Sequence, residues 1–242
     1  MLLPQWWQSI SLSNHQNHLL SNLPAAELAV LERDLEPVVF VVRQELVSQD
    51  TLIEHVFFVE TGLGMEIAVA KGEDQIEVGI IGREGLVGLP VVLGRRHSPH
   101  RTFTQVNGYG WRLPADKLVL AMDASQVLRT AMYGYAQDFM LQLAETAVAN
   151  GKFKISSRLA RWLLMVRDRL DGDEMPMTQD FLSLMLGVRR ASVTVALAAL
   201  DAEGAIRTGN RRILVRDRVR LEEIAGASYR RPRSSKSEAL LT

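Results

Sequence analysis

Residues 178–206 read TQDFLSLMLGVRRASVTVALAALDAEGAI and predict the central motif of the C-terminal half. Thr178 offers the hydroxyl of a helix N-cap, and the apolar residues that follow it keep the helical period. They are Phe181, Leu182, Met185 and Leu186. Gly187 can adopt the left-handed backbone that ends a helix and turns the chain. The stretch therefore predicts a short helix that stops at Gly187.

A second helix is predicted directly after this turn, with Val188 filling the angle between the two. Its apolar residues mark one buried face, made by Val193, Ala196, Leu197 and Leu200. Its other face exposes four polar side chains near the N-terminus: Arg189, Arg190, Ser192 and Thr194. A recognition helix meets base edges in the major groove at that end. Arginine can bind guanine bidentately, and serine or threonine can contact bases or phosphates, so these four are candidate DNA base contacts.

An ordinary helical hairpin with solvated arginines would share this pattern, and two further signals favour DNA binding. The segment AIRTGNRRILVRD, residues 205–217, predicts two short strands joined by a tight turn, like the wing of a winged helix. Residues 151–242 carry 18 basic against 11 acidic side chains, whereas residues 1–150 carry 10 against 17. A basic domain attracts phosphate backbones through counterion release, although a solvated basic surface has the same composition.

Composition narrows the class of protein. Of 242 residues, 47% are hydrophobic and 23% charged, which is typical of a globular protein. No apolar run reaches the roughly 18 residues of a membrane span, and the N-terminus lacks the pattern of a signal peptide. We therefore expect a cytoplasmic location and no membrane partner. The absence of cysteine excludes disulfides, iron–sulfur clusters and thiol redox switches.

The N-terminal half passes from helical to strand-like patterning. Residues 23–35 have leucines at helical spacing. Between residues 38 and 113, short β-branched or aromatic runs alternate with turn residues. These runs are VVFVV, HVFFVE, GMEIAVA, IEVGII, RTFTQV and GYGWRL. Strands at this spacing predict an antiparallel sandwich or barrel-like fold, and the segments KGEDQ and NGYG predict hairpin turns.

A long helix is predicted between the two halves. Residues 114–149 carry an apolar stripe made by Leu128, Ala131, Met132, Tyr135, Phe139, Leu143 and Ala147. Such a helix packs either on its own domain or against a second copy, and dimerisation is the preferred interpretation. The expected dimer-helix residues are Leu128, Tyr135, Phe139 and Leu143. After Gly151, the segment SSRLARWLLMVRDRL predicts a further helix whose core face is Leu159, Trp162, Leu163, Val166 and Leu170.

This order of elements resembles the Crp/Fnr family of transcription regulators over nearly the whole chain. SRLARWLL resembles the first helix of that family's DNA-binding domain, and MTQDFLSLMLGVRRASVTVALAALDAEGAI resembles its helix-turn-helix. The resemblance implies an α+β fold with an N-terminal antiparallel, jelly-roll-like β-roll, a long dimerisation helix and a C-terminal winged helix-turn-helix. The expected domains are a β-roll sensor at 1–122, the dimer helix at 123–150, the DNA-binding domain at 151–227 and a flexible basic tail at 228–242.

The same resemblance assigns base reading to Arg190, which occupies the position of the family's base-reading arginine. The acidic residue and the second arginine of its best-known members are replaced by Ala191 and Val195. The operator preference of those members therefore does not carry over, and Arg189 can share the reading.

Contacts to phosphate are expected from the first helix of the motif and from the wing. Thr178 and Gln179 lie where the family's first helix faces phosphate, and Arg211 and Arg212 lie in the wing. The implied partners are double-stranded DNA, a second copy of the chain and RNA polymerase.

The family's β-roll often binds a cyclic nucleotide, and the segment GREGLVGLPVVLGRRHSPHRTFTQV, residues 82–106, lies over that cassette. Leu89 stands in place of the glutamate that binds the ribose, and the proline after it has no backbone N–H to donate. The sequence therefore argues against cyclic-nucleotide binding, and no cofactor is predicted. The candidate effector pocket consists of Gly88, Leu89, Arg101 and Thr102, which match cassette positions, and Phe103, which is expected to add bulk there.

Other site chemistries find little support. His15 and His18 are three residues apart, as are His97 and His100, but neither pair has further ligands at metal spacing. Solvated loop histidines and no metal are expected, with a haem on one of them as an open alternative. No nucleophile with a base and no phosphate-binding loop is found, so we expect no catalytic residues and no enzyme. A cyclic-nucleotide-responsive regulator with a degenerate cassette and a ligand-independent DNA-binding protein remain as alternative functions.

Overall fold

The computed structural model describes residues 15–70 and 75–231, which form two compact units. The first unit runs to Ala144 and the second begins at Glu145. Most of the predicted KGEDQ turn and most of the predicted basic tail lie outside the described residues. The two strands that KGEDQ joins are described, and they pair antiparallel from Val69 opposite Gln75.

The first unit is built on two antiparallel sheets. Their strands are β1 (Glu36–Phe40), β2 (Glu45–Val47), β3 (His55–Val59), β4 (Leu63–Val69), β5 (Gln75–Ile81), β6 (Leu86–Val87), β7 (Arg101–Val106) and β8 (Gly108–Pro114). One sheet has the order β1-β8-β3-β6 and the other the order β2-β7-β4-β5. The expected antiparallel β-roll is thereby confirmed. Sequence reasoning missed β2 and β6, because two or three residues are too few to show an alternating pattern.

The NGYG segment is not a hairpin turn. Strands β7 and β8 flank Asn107 but belong to different sheets, so the chain crosses between sheets at this point. The Asn107 side chain accepts a hydrogen bond from the backbone N–H of Val42 at 2.7 Å. A Cβ on Gly108 would lie 2.0 Å from the carbonyl oxygen of Thr61, so the glycine is needed for close backbone approach.

Short helices cover the β-roll. They are α1 (His18–Ser21), α2 (Ala25–Glu32), α3 (Leu89–Val92) and α4 (Ala115–Ala124). The long helix α5 (Gln126–Lys152) follows α4 after Ser125, whose extended backbone separates the two helices. The core under these helices is apolar and includes Leu20, Phe58, Leu86, Leu113 and Leu118.

Helix α5 packs tightly on the β-roll. The Tyr135 hydroxyl donates to the Leu86 carbonyl at 2.9 Å, and a Cβ on Gly85 would lie 2.2 Å from the Tyr135 ring. A Cβ on Gly79 would lie 2.6 Å from the Phe139 ring. The glycines of the β-roll therefore make room for the aromatic side chains of the helix.

This packing corrects the predicted dimer face. Leu128, Tyr135 and Phe139 are buried in the core of their own first unit, and Leu143 packs against that core. The apolar stripe is thus the face that α5 turns toward its own β-roll. Sequence periodicity identifies a buried face but does not say whether the partner is the same chain or another one.

The predicted solvated state of His15 is wrong. Its ring is buried, and Nδ1 lies 2.9 Å from the buried carboxylate of Glu60. Burial alone would lower the pKa of His15, but the hydrogen bonds and negative charges of Glu60 and Glu32 outweigh it and raise that pKa above its usual value. Glu60 also accepts the Trp111 indole N–H at 2.8 Å. Together these contacts fasten the start of the described chain to the β-roll.

The second unit combines helices with a small sheet. Its elements are α6 (Ile155–Arg167), β9 (Glu174–Met175), α7 (Gln179–Leu186), α8 (Arg190–Ala202), β10 (Ile206–Gly209), β11 (Arg212–Val215) and α9 (Arg218–Ala225). The strands form an antiparallel sheet in the order β10-β11-β9. Four of the five predicted core residues of α6 are buried, and Leu170, beyond the helix, is half-buried. Trp162 of this helix meets Phe181 edge to face at 5.9 Å.

The packed part of the second unit extends past its predicted end at residue 227. Ser228 closes a 3-10 turn and is buried. The next residue, Tyr229, donates its hydroxyl to Asp168 and accepts from Arg218 at 2.9 Å.

In the described part of the chain, no single helix is long and apolar enough to cross a membrane. One sharply bent pair, α7 with α8, meets that criterion only when its two helices are counted together.

Candidate nucleic-acid interface

The turn between α7 and α8 has the backbone geometry that the sequence predicts. The Thr178 hydroxyl caps α7 by accepting from the Phe181 N–H at 3.2 Å. Gly187 ends α7 in the left-handed region at φ 61°, and the N–H of Val188 bonds back to the Ser183 carbonyl. The chain turns by 105° between the two helices. These features are those of a helix-turn-helix.

Arg158 of α6 holds the end of α7, a role that the sequence did not reveal. Its guanidinium donates to the carbonyl oxygen of Leu186. A cation at the C-terminal end of a helix satisfies an otherwise free carbonyl and stabilises the helix dipole. Burial lowers the pKa of Arg158 below its usual value. A polar residue between apolar ones predicts only exposure, so its structural role could not be read from the pattern.

The candidate base contacts lie at the start of α8. Arg189, Arg190 and Thr194 are exposed there, whereas Ser192 is half-buried. The Nε of Arg190 lies 3.3 Å from an Asp180 carboxylate oxygen of α7, and both side chains are solvent-exposed. Such an exposed pair is weak and leaves the guanidinium available to a DNA base.

Thr194 and Gln179 form one polar contact across the motif. The Thr194 hydroxyl lies 2.9 Å from the Gln179 side-chain oxygen and 3.1 Å from the Arg190 carbonyl, and it can donate to either. The structure therefore joins a predicted base contact to a predicted phosphate contact. Thr178, the other predicted phosphate contact of α7, uses its hydroxyl as the helix cap.

The centre of the exposed face of α8 is apolar. Val193, Ala196, Leu197 and Leu200 are buried as predicted, and Ala191, Val195 and Ala198 lie on the opposite side. Val195 is 71% exposed. We call Ala191, Val195 and Ala198 the α8 apolar patch.

The wing is a tight hairpin between β10 and β11. Gly209 pairs with Arg212, so Asn210 and Arg211 form the turn. Arg211 has φ 59°, in the left-handed region that residues other than glycine and asparagine seldom adopt. Arg212 reaches Glu174 of β9 at 2.8 Å and stays exposed. Both predicted phosphate contacts of the wing are thus on its surface.

One of the effector-pocket residues, Thr102, contacts the carboxyl group of Glu66. Gly88 takes φ 99° and precedes α3, which begins at Leu89. Thr102 lies opposite Glu66 in the pairing of β7 with β4, and its hydroxyl donates to the Glu66 carboxylate. Burial raises the pKa of Glu66 to about 7, although the Thr102 hydrogen bond lowers it somewhat.

These residues do not fit a cyclic nucleotide. The Thr102 hydroxyl already serves an acidic side chain, which would repel a cyclic phosphate whenever it is ionised. The Arg101 guanidinium donates to Gln75, and Leu89 offers the ribose no acceptor. Successive residues of a strand face opposite ways, so neither Arg101 nor Phe103 shares the Thr102 face, and the expected bulk of Phe103 there is wrong.

Comparison with known proteins agrees with both units. Residues 157–224 match the Crp-like helix-turn-helix domain. FixK2 from Bradyrhizobium japonicum has a similar structure with a TM-score of 0.69 and 17% identity over 79% of this chain and 98% of that chain. A CRP-family transcriptional regulator from Thermus thermophilus gives 0.65 and 18% over 78% and 96%.

A third structure is that of CLP from Xanthomonas campestris, a regulator described as responsive to c-di-GMP. It gives a TM-score of 0.63 and 15% identity over 79% of this chain and 99% of that chain. No curated protein matches the sequence. Residues 157–224 therefore form a Crp-like helix-turn-helix domain, and the chain has the fold of the solved Crp/Fnr-type regulators.

Proposed function

We propose that this protein regulates transcription by binding a palindromic operator as a homodimer. The observation that carries the proposal is the helix-turn-helix itself, whose second helix starts with two exposed arginines, Arg189 and Arg190. That end of a recognition helix meets base edges in the major groove. The guanidinium of Arg190 has the fork geometry that binds the O6 and N7 atoms of guanine.

The wing and α7 supply positioning contacts. Arg211 and Arg212 are exposed on the hairpin, and Gln179 lies in the first turn of α7. Contacts of these side chains with phosphate would fix the register on DNA without reading sequence. Binding should accordingly weaken as salt concentration rises.

The proposed dimer forms along the exposed face of α5 and not along the face first predicted. Apolar or small residues recur there every seven positions: Val127, Gly134, Leu141 and Val148, with Thr130, Gln137, Ala144 and Gly151 between them. We call these eight residues the α5 seam. The spacing is that of the two contact positions of a two-stranded coiled coil, although Thr130 and Gln137 make one of the two rows partly polar.

Exposure in the single chain supports the assignment of the seam. Val127, Leu141 and Val148 are each about half-exposed, which is costly for apolar side chains in water. A Cβ added at Gly134 or Gly151 would meet nothing within 4 Å among the described residues, so packing among those residues does not require the glycines. Their missing side chains would let a second helix approach closely.

Two-fold symmetry along the seam leads to the palindrome. A symmetric dimer presents two copies of α8, and such dimers read half-sites about 34 Å apart, one helical turn of DNA. The operator is then expected to be an inverted repeat, because the dimer that binds it is two-fold symmetric.

We further propose that DNA binding does not need a cyclic nucleotide. The pocket that the resemblance suggests holds the acidic Glu66 against Thr102, and the buried Thr104 hydroxyl lacks a hydrogen-bond partner among the described residues. A carboxyl group and a free hydroxyl suit a neutral or cationic effector with hydrogen-bond donors better than a phosphate.

In vitro selection from random duplex DNA, with purified protein and no added ligand, tests the proposal. We expect enrichment of a palindrome, and no change when a cyclic mononucleotide is added. The double variant Arg189→Ala, Arg190→Ala should lose the enrichment. The matched variant Arg33→Ala, Arg95→Ala removes two exposed arginines of the first unit and should keep it. Enrichment that requires a cyclic nucleotide would contradict the proposal that binding is independent of this ligand. If the protein enriches no sequence, either alone or with added cell extract, the proposal of DNA recognition is contradicted.

A further inference from the structure

We propose that the α8 apolar patch reads the 5-methyl group of a thymine in each half-site, with Val195 as the contacting residue. This inference rests on the proposed DNA-binding function and adds a base preference to it. It starts from the 71% exposure of Val195, an aliphatic side chain at the centre of the face that should meet DNA.

The patch lies directly opposite the core side of α8. Residues 193, 196, 197 and 200 are buried, and residues 191, 195 and 198 are exposed, as expected for opposite sides of a helix with 3.6 residues per turn. Arg190 and Thr194 flank the patch on one side. Whatever base edge lies under the middle of α8 therefore meets methyl groups and not polar atoms.

The flanking polar side chains do not reduce this apolar character. The single hydroxyl proton of Thr194 is directed to Gln179 or to the Arg190 carbonyl. Ala191 and Ala198 carry only methyl groups, which lets the helix come close to the base edges. Valine is also stiff in a helix, where one χ1 rotamer dominates, so Val195 presents its two methyl groups in a fixed position.

Thymine is the base that matches such a surface. In the major groove, adenine, guanine and cytosine present hydrogen-bonding groups that an aliphatic side chain would leave unpaired, whereas thymine presents a 5-methyl group beside its O4 acceptor. An unpaired polar group costs free energy when it is desolvated, so the patch disfavours the other bases as well as favouring thymine.

The position of the thymine follows from the helix rise. Val195 lies five residues beyond Arg190, about 7.5 Å along the helix axis, which corresponds to about two base pairs. We expect a guanine read by Arg190 and a thymine read by Val195 within about two base pairs of each other.

Methyl deletion on the DNA tests the proposal on the full-length protein. Once selection has given the preferred operator, each thymidine of one half-site is replaced in turn by 2′-deoxyuridine, which keeps base pairing and removes only the methyl group. We expect one replacement to weaken binding about fourfold, the effect of one buried methyl, and the others to have little effect. Val195→Ala should bind the thymidine and deoxyuridine versions of that position equally well.

Val219→Ala is the matched control, because Val219 is also a solvent-exposed valine of the second unit, at 63%, and lies on α9. It should retain the wild-type response to deoxyuridine. If a palindrome is selected but no deoxyuridine replacement weakens binding, the thymine proposal is overturned and the DNA-binding function stands. A response that persists in Val195→Ala would assign the methyl contact to another residue. Failure to select any DNA would instead count against the proposed function.

Discussion

Thr102 and Glu66 face each other across β7 and β4, and the Thr102 hydroxyl donates to the half-buried Glu66 carboxylate. The hydroxyl that a cyclic phosphate would need is thereby occupied by an acid of the protein itself. The same burial that encloses Glu66 raises its pKa to about 7, so the group changes charge near neutral pH.

The stability of the first unit should consequently fall as pH rises from about 5 to 8. An unfolded chain releases the Glu66 proton near the ordinary pKa of 4.5, while the folded chain keeps it up to about 7. The folded state is therefore favoured most below the unfolded pKa, and this contribution is lost through pH 7. The loss would be at most about 3 kcal/mol. Urea unfolding of Glu66→Gln at several pH values should show a clearly flatter dependence.

Glu54→Gln is the control for this measurement, since Glu54 is an exposed glutamate of the same unit. It should keep the wild-type pH dependence. An unchanged slope in Glu66→Gln would show that Glu66 does not titrate near neutrality.

Dimerisation along the α5 seam should fail when a charge is placed in its middle. Leu141 is 51% exposed in the single chain, so Leu141→Glu should fold normally. In a dimer it would bury two like charges near the two-fold axis, which we expect to cost several kcal/mol (about 3 or more). Sedimentation equilibrium at micromolar concentration should then show a monomer.

Leu120→Glu makes the same change at an exposed leucine of α4 and should remain dimeric. A dimeric Leu141→Glu protein would mean that the two copies meet on a different surface.

Arg190 and Arg212 should differ in what their loss does to DNA binding. Arg190→Ala removes a base contact and should cost about 1–3 kcal/mol on the selected operator and little on random DNA. Arg212→Ala removes a wing cation and should weaken binding to both DNAs. The slope of log affinity against log salt concentration should become shallower by about one. Binding titrations on both DNAs at several salt concentrations separate the two roles. Equal losses on specific and random DNA for both variants would contradict this assignment.

The sequence predicted the elements better than the partners of their faces. The first helix of the helix-turn-helix could be located to the residue, because Thr178 and Gly187 mark its ends by local backbone chemistry. The contact between Glu66 and Thr102 was missed, because the residue pattern of one strand does not show which side chains of a neighbouring strand it will meet. The side of α5 that faces a second copy was missed for the same reason: Tyr135 and Phe139 are large and periodic, but only the tertiary structure places Gly85 and Gly79 beneath them.

Arg211 should be replaceable by glycine with a gain in stability and a loss of DNA affinity. Its φ of 59° costs an L-residue roughly 1 kcal/mol, and glycine pays no such cost. Arg211→Gly removes the strain but gives the unfolded chain more freedom, so the net gain in unfolding free energy should be less than about 1 kcal/mol. Removal of the exposed cation should nevertheless weaken binding to all DNA sequences. Arg211→Asn, which also tolerates this backbone region, should lose affinity to the same extent. An affinity equal to wild type in both variants would show that the tip of the wing does not contact phosphate.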